Sequence, residues 1–289
     1  MKVGLIDVDS RIPNLALMKL SAWHKAQGDK VKWHDGMYDQ PDRIYASKVF
    51  KFTSDYVYFP GCEVIRGGSG YDLDTKLPNE IESQNPDYSL YGLDYAMGFT
   101  SRGCNRNCGF CIVPRKEGRW HQVADIDQFW QGQKHLMLLD GNLTSDHEHF
   151  IQTCRQLIDD KIRTYFSQGL DIRLMDDEKA KILAQVKDWG SKRIHFAWDN
   201  IADEEEIRRG IEIVTKFIKP YRIMFYILIG WDTTLEEDLY RVELLRSFGI
   251  EPYAMPYDKT DPYQSDFTRW VNVKKTFKNV PWDKYERRN

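Results

Sequence analysis

The sequence predicts an α/β protein in which a partial barrel of six βα units follows a small α/β unit. Apolar runs of strand length recur at intervals of about 30 residues, which is the length of one βα unit. These runs are Ala96–Thr100, His135–Leu139, Arg163–Phe166, Arg193–Ala197, Ile223–Ile229 and Glu251–Ala254. Between them lie amphipathic stretches of helical length, among them Asp176–Lys187, Glu204–Phe217 and Leu235–Phe248. Because six units fall short of a full (β/α)8 barrel, we expect an open, barrel-like parallel sheet.

The residues before the predicted barrel show a different pattern of apolar runs. The run Val3–Val8 has strand length, and a helical pattern follows from Pro13 to Gln27, with Gly28 just past its end. Further short apolar runs predict more strands at Val31–Trp33, Asp55–Phe59 and Val64–Ile65. This pattern indicates a small parallel α/β unit, and residues 72–90, which have no clear period, are expected to form a connector. We therefore expect a division into residues 1–90, 91–260 and 261–289.

The bulk composition excludes several classes of protein. The chain has 289 residues and a net charge of −3, which argues against a protein that coats nucleic acid by bulk attraction. We find neither a secretory signal nor an apolar stretch long enough to span a bilayer, so no membrane partner is expected. The five cysteines are few for this length and three are crowded together, which favours a metal site in a reduced compartment. The expected location is cytoplasmic.

The crowded cysteines are Cys104, Cys108 and Cys111, spaced C-x3-C-x2-C directly after the first predicted barrel strand. Three thiolates at this spacing can ligate three irons of a cubane cluster and leave the fourth iron open for a substrate. Gly103 and Gly109 allow the backbone to turn tightly around the sulfurs. The sequence therefore predicts an iron–sulfur cluster in this loop.

A structural zinc site is the alternative for the same cysteines. Such sites usually close with four ligands, commonly from CxxC pairs. The sequence has no second CxxC motif, although His121 can be considered as a fourth ligand. A structural zinc site therefore stays open as the less favoured interpretation of these cysteines.

The cysteine loop resembles the signature of the radical S-adenosylmethionine (SAM) superfamily, including the aromatic Phe110 before the last cysteine. The stretch from Thr100 to Pro114 is similar to the loops of methylthiotransferases and of superfamily members with a cobalamin-type domain. The resemblance implies a [4Fe–4S] cluster that binds SAM and cleaves it reductively to a 5′-deoxyadenosyl radical, which then abstracts hydrogen from a substrate. It also implies an electron donor resembling flavodoxin or ferredoxin.

The same resemblance implies SAM contacts at the ends of the barrel strands. Asp140, Gly141 and Asn142 stand where the family usually has a Gly-Gly-Glu-like turn for the SAM amino group, so Asp140 or Asn142 would replace the usual acid. The region that contacts ribose and carboxylate corresponds to Gln168, Asp171 and Arg173. Arg173 can hold the SAM carboxylate or form a salt bridge with Asp171 or Asp199.

Three further residues complete the expected SAM site. Asp199 is one of the polar residues that recur after the predicted strands. Gly230 lies in a segment similar to the family's fifth strand, where the backbone approaches adenine. Met255, at the end of the sixth strand, resembles an adenine contact, although a methionine there can equally be ordinary core.

The N-terminal unit resembles a shortened cobalamin-binding domain. Gly67–Gly70 stand where such domains have a Gly-Gly turn near the cofactor tail. However, the loop Asp9–Pro13 has no histidine to ligate cobalt, and the unit is short. We favour a Rossmann-like domain without cobalamin over one that binds it.

The C-terminal segment, residues 267–289, is the part of the sequence that indicates most about the substrate. It is rich in cations and aromatic rings: Arg269, Lys274, Lys275, Lys278, Lys284, Arg287, Arg288, Trp270, Phe277, Trp282 and Tyr285. Such a segment can bind a phosphate backbone and splayed bases, or it can pack its rings on the barrel and solvate its charges.

Three functions follow from these observations. The leading hypothesis is a radical SAM enzyme that modifies a nucleic-acid base. The second is the same chemistry on a small molecule or peptide, and the third is a non-catalytic zinc or iron–sulfur protein. Methylthiotransfer proper is disfavoured, because only Cys62 precedes the motif and only Cys154 follows it, so a second three-cysteine cluster site cannot be built.

Overall fold

The computed structural model describes residues 1–36, 38, 40–190 and 193–287, and it confirms the predicted α/β class. The chain divides into two compact units. The first comprises Met1–Gly98 and Asp125–Gln133, and the second comprises Phe99–Ala124 and the residues from Lys134 onward. The division into residues 1–90, 91–260 and 261–289 stays a prediction.

The first unit is built on a parallel sheet with strand order β2-β1-β3-β4. Its elements are β1 (Lys2–Asp7), α1 (Leu15–Ala26), β2 (Lys30–Trp33), β3 (Arg43–Ser47), β4 (Glu63–Gly67), α2 (Asn79–Glu82) and β5 (Ala96–Gly98). Helix α1 begins where the Asn14 side chain accepts a hydrogen bond from the Leu17 N–H. Alternate residues of β1 bury opposite faces of the sheet, since Leu5 packs in the cluster that contains Leu17 and Ile6 packs with Ile44.

The third strand of this sheet lies earlier in the chain than the sequence pattern predicted. Strand β3 is Arg43–Ser47, whereas Asp55–Phe59 form no strand. Ile44, Tyr45 and Ala46 are buried, while Val57 and Tyr58 are 71% and 68% exposed. The prediction of a strand at Asp55–Phe59 was therefore wrong, because apolar character there belongs to a surface loop.

The second unit contains two runs of parallel strands, β10-β9-β8 and β11-β12-β13. An isolated parallel bridge between Leu170 and Phe196 joins them. The strands are β6 (Ser101–Arg102), β7 (His121–Gln122), β8 (His135–Leu138), β9 (Arg163–Phe166), β10 (Lys187–Asp188), β11 (Ile194–Ala197), β12 (Ile223–Ile229) and β13 (Glu251–Pro256). All six predicted barrel-strand positions carry a strand, and the partial barrel is confirmed.

Helices connect these strands and end in a C-terminal helical segment. They are α3 (Val113–Glu117), α4 (His147–Asp159), α5 (Asp177–Leu183), α6 (Glu204–Thr215), α7 (Leu235–Ser247), α8 (Pro262–Asn272) and α9 (Lys274–Asn279). Helix α7 starts with a reciprocal capping box between Thr234 and Glu237, which satisfies two backbone N–H groups at its first turn. Among the described residues, no helix is long and apolar enough to cross a membrane.

The C-terminal segment packs its rings inward. Phe267 and Trp270 are fully buried, and the Trp270 indole donates a hydrogen bond of 2.8 Å to the Val280 carbonyl oxygen. Phe277 lies edge-on to Trp270 with ring centroids 4.9 Å apart. Trp270 and Phe277 are therefore core residues, which agrees with the packing alternative for this segment and not with base stacking by these two rings. Arg288 lies outside the described residues.

Candidate cofactor site

The loop Gly103–Ile112, here called the cysteine loop, follows strand β6 directly. Gly103 has a φ of 77°, and a Cβ atom at this position would lie 2.3 Å from the Arg119 carbonyl oxygen. Only glycine fits both the conformation and the space. The Cys104 N–H donates to the Gly118 carbonyl oxygen at 3.2 Å, and the Cys111 N–H donates to the Cys108 carbonyl oxygen at 3.0 Å. These bonds fold the loop back so that its cysteines lie on one compact turn.

The three cysteines of this loop are all half-buried. Burial raises the pKa of the Cys108 and Cys111 thiols, and the neighbouring cysteines of the loop raise both further. Three thiols are the number of protein ligands that a cubane cluster takes when its fourth iron is left for a substrate, and a [4Fe–4S] cluster at this loop stays a prediction.

Hydrogen-bond donors surround the sulfurs. The Arg106 N–H and the Asn142 side-chain amide donate to Cys104 Sγ at 3.4 and 3.5 Å, and the Val113 N–H donates to Cys111 Sγ at 3.5 Å. Such N–H···S bonds stabilise negative charge on a cluster and tune its reduction potential. Asn142, predicted as a SAM contact, thus lies beside a cluster ligand.

A single metal ion requires a different arrangement of ligands. Within the described part of the chain, no group of three His, Cys, Asp or Glu side chains is arranged to hold one ion. His121 is exposed on β7, and its Nδ1 lies 2.9 Å from the Arg119 carbonyl oxygen. The described residues therefore give the zinc alternative no fourth ligand at the cysteine loop.

Asp140 is buried and anchors the chain just before the cysteine loop. Its Oδ1 accepts hydrogen bonds from the hydroxyls of Thr100 and Ser101, both at 2.7 Å. The backbone N–H groups of the same two residues also donate to Oδ1, at 3.1 and 2.5 Å. Burial raises the pKa of Asp140, whereas these donors lower it. Because Thr100 Oγ1 also lies 2.8 Å from His149 Nε2, Asp140 belongs to a buried network that fixes strand β6.

Gly141 lies between Asp140 and Asn142, and a Cβ atom at this position would make ordinary van der Waals contacts. A Cβ atom there would come no closer than 3.6 Å to Val113. Asn142 accepts a hydrogen bond of 2.7 Å from the Thr144 hydroxyl through Oδ1. The contact of this turn with the SAM amino group stays a prediction.

Asp171 links the cysteine loop to Arg173. The Arg173 guanidinium makes a bidentate contact with Asp171, at 2.7 Å to Oδ1 and 3.0 Å to Oδ2. Arg106 of the cysteine loop donates to Asp171 Oδ2 at 3.3 Å. Arg173 also forms an ion pair with Asp203, and its charge opposes the burial that raises the pKa of the nearby Asp199. The salt-bridge alternative for Arg173 is present, and Asp203 was missed from the sequence.

The other residues predicted to bind SAM differ in burial and in their neighbours: Asp199, Gly230, Met255 and Gln168. Asp199 accepts a hydrogen bond of 3.1 Å from the Leu228 N–H, and burial raises the pKa of its carboxyl. Gly230 has a φ of 73°, and a Cβ atom there would lie 2.2 Å from the Gln264 side-chain amide. Met255 is 37% exposed on β13, and Gln168 is exposed. Their roles in binding SAM stay predictions.

A fully buried ion pair lies beneath the ends of β11 and β12. Arg241 donates hydrogen bonds of 2.8 Å to the carbonyl oxygens of Trp198 and Leu228. Its partner Asp238 accepts from the Gly230 N–H at 3.3 Å and from the Thr233 hydroxyl at 2.8 Å. Sequence reasoning missed this pair, although two opposite charges three positions apart on the buried face of α7 were a usable signal.

The predicted residue Phe110 lies in an aromatic group with Trp231 and Tyr257, two rings that sequence reasoning missed. The rings of Phe110 and Trp231 meet edge to face with centroids 6.3 Å apart, and Trp231 lies 4.5 Å from Tyr257. A Cβ atom on Gly109 would approach the Trp231 ring at 3.3 Å. These rings give the loop an apolar wall of the kind that restricts water around a cluster.

Comparison with known proteins identifies the relationship. No family model matches the chain. The tRNA-2-methylthio-N(6)-dimethylallyladenosine synthase of Aquifex aeolicus is 28% identical over 178 residues, and that of Sulfurihydrogenibium sp. is 26% identical over 161 residues. The structure of the radical S-adenosylmethionine methyltransferase TsrM from Kitasatospora setae, with cobalamin and a [4Fe–4S] cluster bound, has a TM-score of 0.63. The chain is related to the radical SAM superfamily.

The extent of each match limits what it implies. The two synthases match 52% and 47% of this chain, which spans about two fifths of their length, 40% and 37%. The TsrM match covers 88% of this chain and 72% of that one at 13% identity, so it establishes the radical SAM fold alone. The resemblance to the radical SAM superfamily, predicted from the cysteine loop, is confirmed. The substrate of this chain does not follow from the matches.

Proposed function

We propose that this protein is a radical SAM enzyme in which Cys104, Cys108 and Cys111 hold a [4Fe–4S] cluster. The observation that carries the proposal is the cysteine loop itself: three half-buried thiols in one loop, with N–H donors to the sulfurs of Cys104 and Cys111. A set of three protein ligands leaves one iron for SAM. Burial raises the pKa of Cys108 and Cys111, so loading the cluster must displace protons from thiols that are otherwise neutral.

When bound, the cluster and SAM supply a 5′-deoxyadenosyl radical, and the chain's own residues bind, orient and exclude water. Asn142 donates a hydrogen bond to Cys104 Sγ, and we propose that it also contacts SAM bound at the open iron. Asp171 holds Arg106 and Arg173 together beside the loop, which keeps two cations near an anionic cluster. Phe110 and Trp231 form the apolar side of the site.

We further propose that the substrate is a base in a nucleic acid. Two observations support this. The curated relatives are named as synthases of a modified tRNA nucleoside, and the C-terminal segment exposes Arg269, Lys275, Lys278 and Lys284. Because Trp270 and Phe277 are buried, the contribution of this segment is electrostatic attraction to phosphates and not stacking by those rings.

The test of the substrate combines product analysis with charge reversal. Reconstituted enzyme is incubated with SAM, reductant and either tRNA or DNA, and digested nucleosides are examined by mass spectrometry. We expect a new nucleoside, and we expect the variant K275E/K278E/K284E to bind nucleic acid more weakly with a shallower salt dependence. The matched control K187E/K219E changes exposed lysines elsewhere and leaves binding close to wild type.

Modification of a small molecule or peptide is the second candidate, favoured by the inward packing of Trp270 and Phe277. In that case the charge-reversal variant retains full activity and no modified nucleoside appears.

An electron donor resembling flavodoxin or ferredoxin and a cytoplasmic location both stay predictions. For either substrate the first step is SAM cleavage, which is assayed separately as 5′-deoxyadenosine.

We propose that no cobalamin takes part. The loop Asp9–Pro13 offers no histidine for cobalt, and Asp9 ties it down by accepting hydrogen bonds from the backbone N–H groups of Val49 and Phe50 at 2.6 and 2.9 Å. Anaerobic dialysis against hydroxocobalamin tests this directly, since a bound corrinoid has strong visible absorption. Retention of about one corrinoid per chain after gel filtration would contradict the proposal.

A further inference from the structure

A crevice of about 710 Å³ opens at the carboxyl edge of the N-terminal sheet. Its volume lies within the range of small-molecule sites in proteins. The lining residues that matter here are Asp7, Trp33, Ser54, Tyr56, Leu90 and Tyr91. All of them belong to the first unit, whereas the cysteine loop belongs to the second.

The crevice lies at the carboxyl ends of β1 and β2, next to the reversal of the connections between β1 and β3. Strand β1 is central, with β2 on one side and β3 on the other, and all three run parallel. The chain leaves β1 toward β2 and then crosses to β3, so the connections reverse beside β1. In open parallel sheets this reversal leaves a gap outside the carboxyl ends of the strands, where ligands lodge.

Aromatic rings form the walls of the crevice and are held in place. The Trp33 ring is 38% exposed, and its indole N–H donates to the Leu90 carbonyl oxygen at 3.1 Å. The Trp33 and Tyr91 rings meet edge to face with centroids 5.0 Å apart. Tyr56 packs edge-on against Phe59 at 5.5 Å. Fixed rings of this kind offer flat apolar faces at a low entropic cost of binding.

One carboxylate gives the crevice its polar character. Asp7 Oδ2 accepts a hydrogen bond of 2.5 Å from the Tyr91 hydroxyl, and Oδ1 accepts one of 3.0 Å from the Ser10 N–H. Burial and the charge of Asp7 raise the pKa of Tyr91, so the tyrosine stays a donor to Asp7. An ionised carboxylate has about four acceptor positions, and each Asp7 oxygen therefore has capacity for a further N–H donor.

We propose that this crevice binds an aromatic heterocycle that carries an exocyclic amino group, as in the bases adenine and cytosine. The ring lies against Trp33 or Tyr91, and the amino group donates to Asp7. This goes beyond the proposed function, because it needs neither the cluster nor SAM. The base can belong to a free nucleoside or to single-stranded nucleic acid, and the two sources share the chemistry that the crevice recognises.

The test is a set of binding titrations on the full chain without SAM. Calorimetry is carried out with adenosine, with inosine, in which a carbonyl replaces the amino group, and with a short oligoadenylate. We expect adenosine to bind at least about tenfold more tightly than inosine, because an acceptor opposite a carboxylate leaves both unpaired. Tighter binding of the oligoadenylate than of adenosine identifies nucleic acid as the source, and equal binding identifies the free nucleoside.

Variants locate the binding. Trp33→Ala is expected to weaken adenosine binding by roughly tenfold, the effect of losing one stacking face, whereas Trp33→Phe retains a ring and most of the affinity. Asp7→Asn is expected to reduce the preference for adenosine over inosine. The control Phe52→Ala removes an exposed ring of the same unit that does not line the crevice.

Thermal unfolding measured alongside shows whether each variant is folded. Adenosine binding that is the same in wild type, Trp33→Ala and Asp7→Asn would overturn the proposal, because the nucleoside would then occupy another site, such as that for SAM. Binding of hydroxocobalamin without any binding of adenosine or oligoadenylate would overturn it as well.

Discussion

Arg241 donates a hydrogen bond of 2.6 Å to Asp238, and neither side chain is exposed to solvent at all. Two charges removed from water are stable only when further hydrogen bonds satisfy them. Here those bonds come from the carbonyl oxygens of Trp198 and Leu228 and from the Gly230 N–H. The pair therefore sets the relative positions of the ends of β11 and β12, which are followed by the predicted SAM contacts Asp199 and Gly230.

Breaking this pair is expected to be costly. Arg241→Met leaves Asp238 buried and unpaired, and we expect the free energy of unfolding to fall by about 3–5 kcal/mol. Urea denaturation measures the loss. The matched control is Arg246→Met, on the same helix, whose pair with Glu243 is largely exposed and is worth about 1 kcal/mol or less. Equal losses for the two variants would contradict this account of the buried pair.

Asp140 is expected to control cluster loading as well as stability. Asp140→Ala leaves the buried donors of Thr100 and Ser101 without an acceptor, which costs about 1–3 kcal/mol. Because strand β6 leads into the cysteine loop, we also expect less iron per folded chain after reconstitution. Asp146→Ala serves as the control: it removes the N-cap of α4, at a cost of about 1 kcal/mol, and leaves iron content unchanged.

Asp87 provides a pH-dependent contribution to stability in the first unit. Burial alone would raise the pKa of Asp87, but hydrogen bonds from Lys25, Ser21 and Ser89 outweigh it and lower the pKa below its ordinary value of 3.8. The stabilisation is therefore present above pH 3.8 and is lost as the pH falls through the lowered pKa. Asp87→Asn should unfold more easily than wild type at pH 7 and equally easily at the acid end. A difference that does not change with pH would contradict this.

Trp270 is expected to act as a core residue. Trp270→Ala should lower the free energy of unfolding by about 3–5 kcal/mol, because it empties a fully buried site. Its effect on nucleic-acid binding should appear only through loss of folded protein. A folded, fully stable Trp270→Ala variant that no longer binds RNA would instead identify this ring as a stacking platform.

The sequence predicted the barrel well because its signals are local. Each of the six predicted strands, from Ala96–Thr100 to Glu251–Ala254, is a short run of strand length, and stretches of about one βα unit separate their starts, whereas the two-residue strands β6, β7 and β10 carry no such signal. The misplaced strand at Asp55–Phe59 has a physical cause as well. A run that contains Val57 and Tyr58 is as apolar as a buried strand, and periodicity alone cannot distinguish core from an exposed aromatic loop.

The residues of the candidate cofactor site were predictable from the sequence only where they lie together in one segment. The C-x3-C-x2-C spacing lies within a single loop, so Cys104, Cys108 and Cys111 were identified directly. The partners of Arg173 and the network of Asp140 depend on residues that are distant in sequence, such as Asp203 and His149. Side-chain pairings of this kind are set by tertiary packing, which no local pattern records.

The most direct test of the central claim is anaerobic reconstitution followed by an iron count and a 5′-deoxyadenosine assay. We predict about four irons per chain, and formation of 5′-deoxyadenosine from SAM with dithionite. Cys104→Ala, Cys108→Ala and Cys111→Ala should each abolish the product, while Cys154→Ala, at a buried cysteine outside the loop, should retain it. A chain that holds a single zinc ion, or one that carries a full cluster and forms no 5′-deoxyadenosine, would contradict the account.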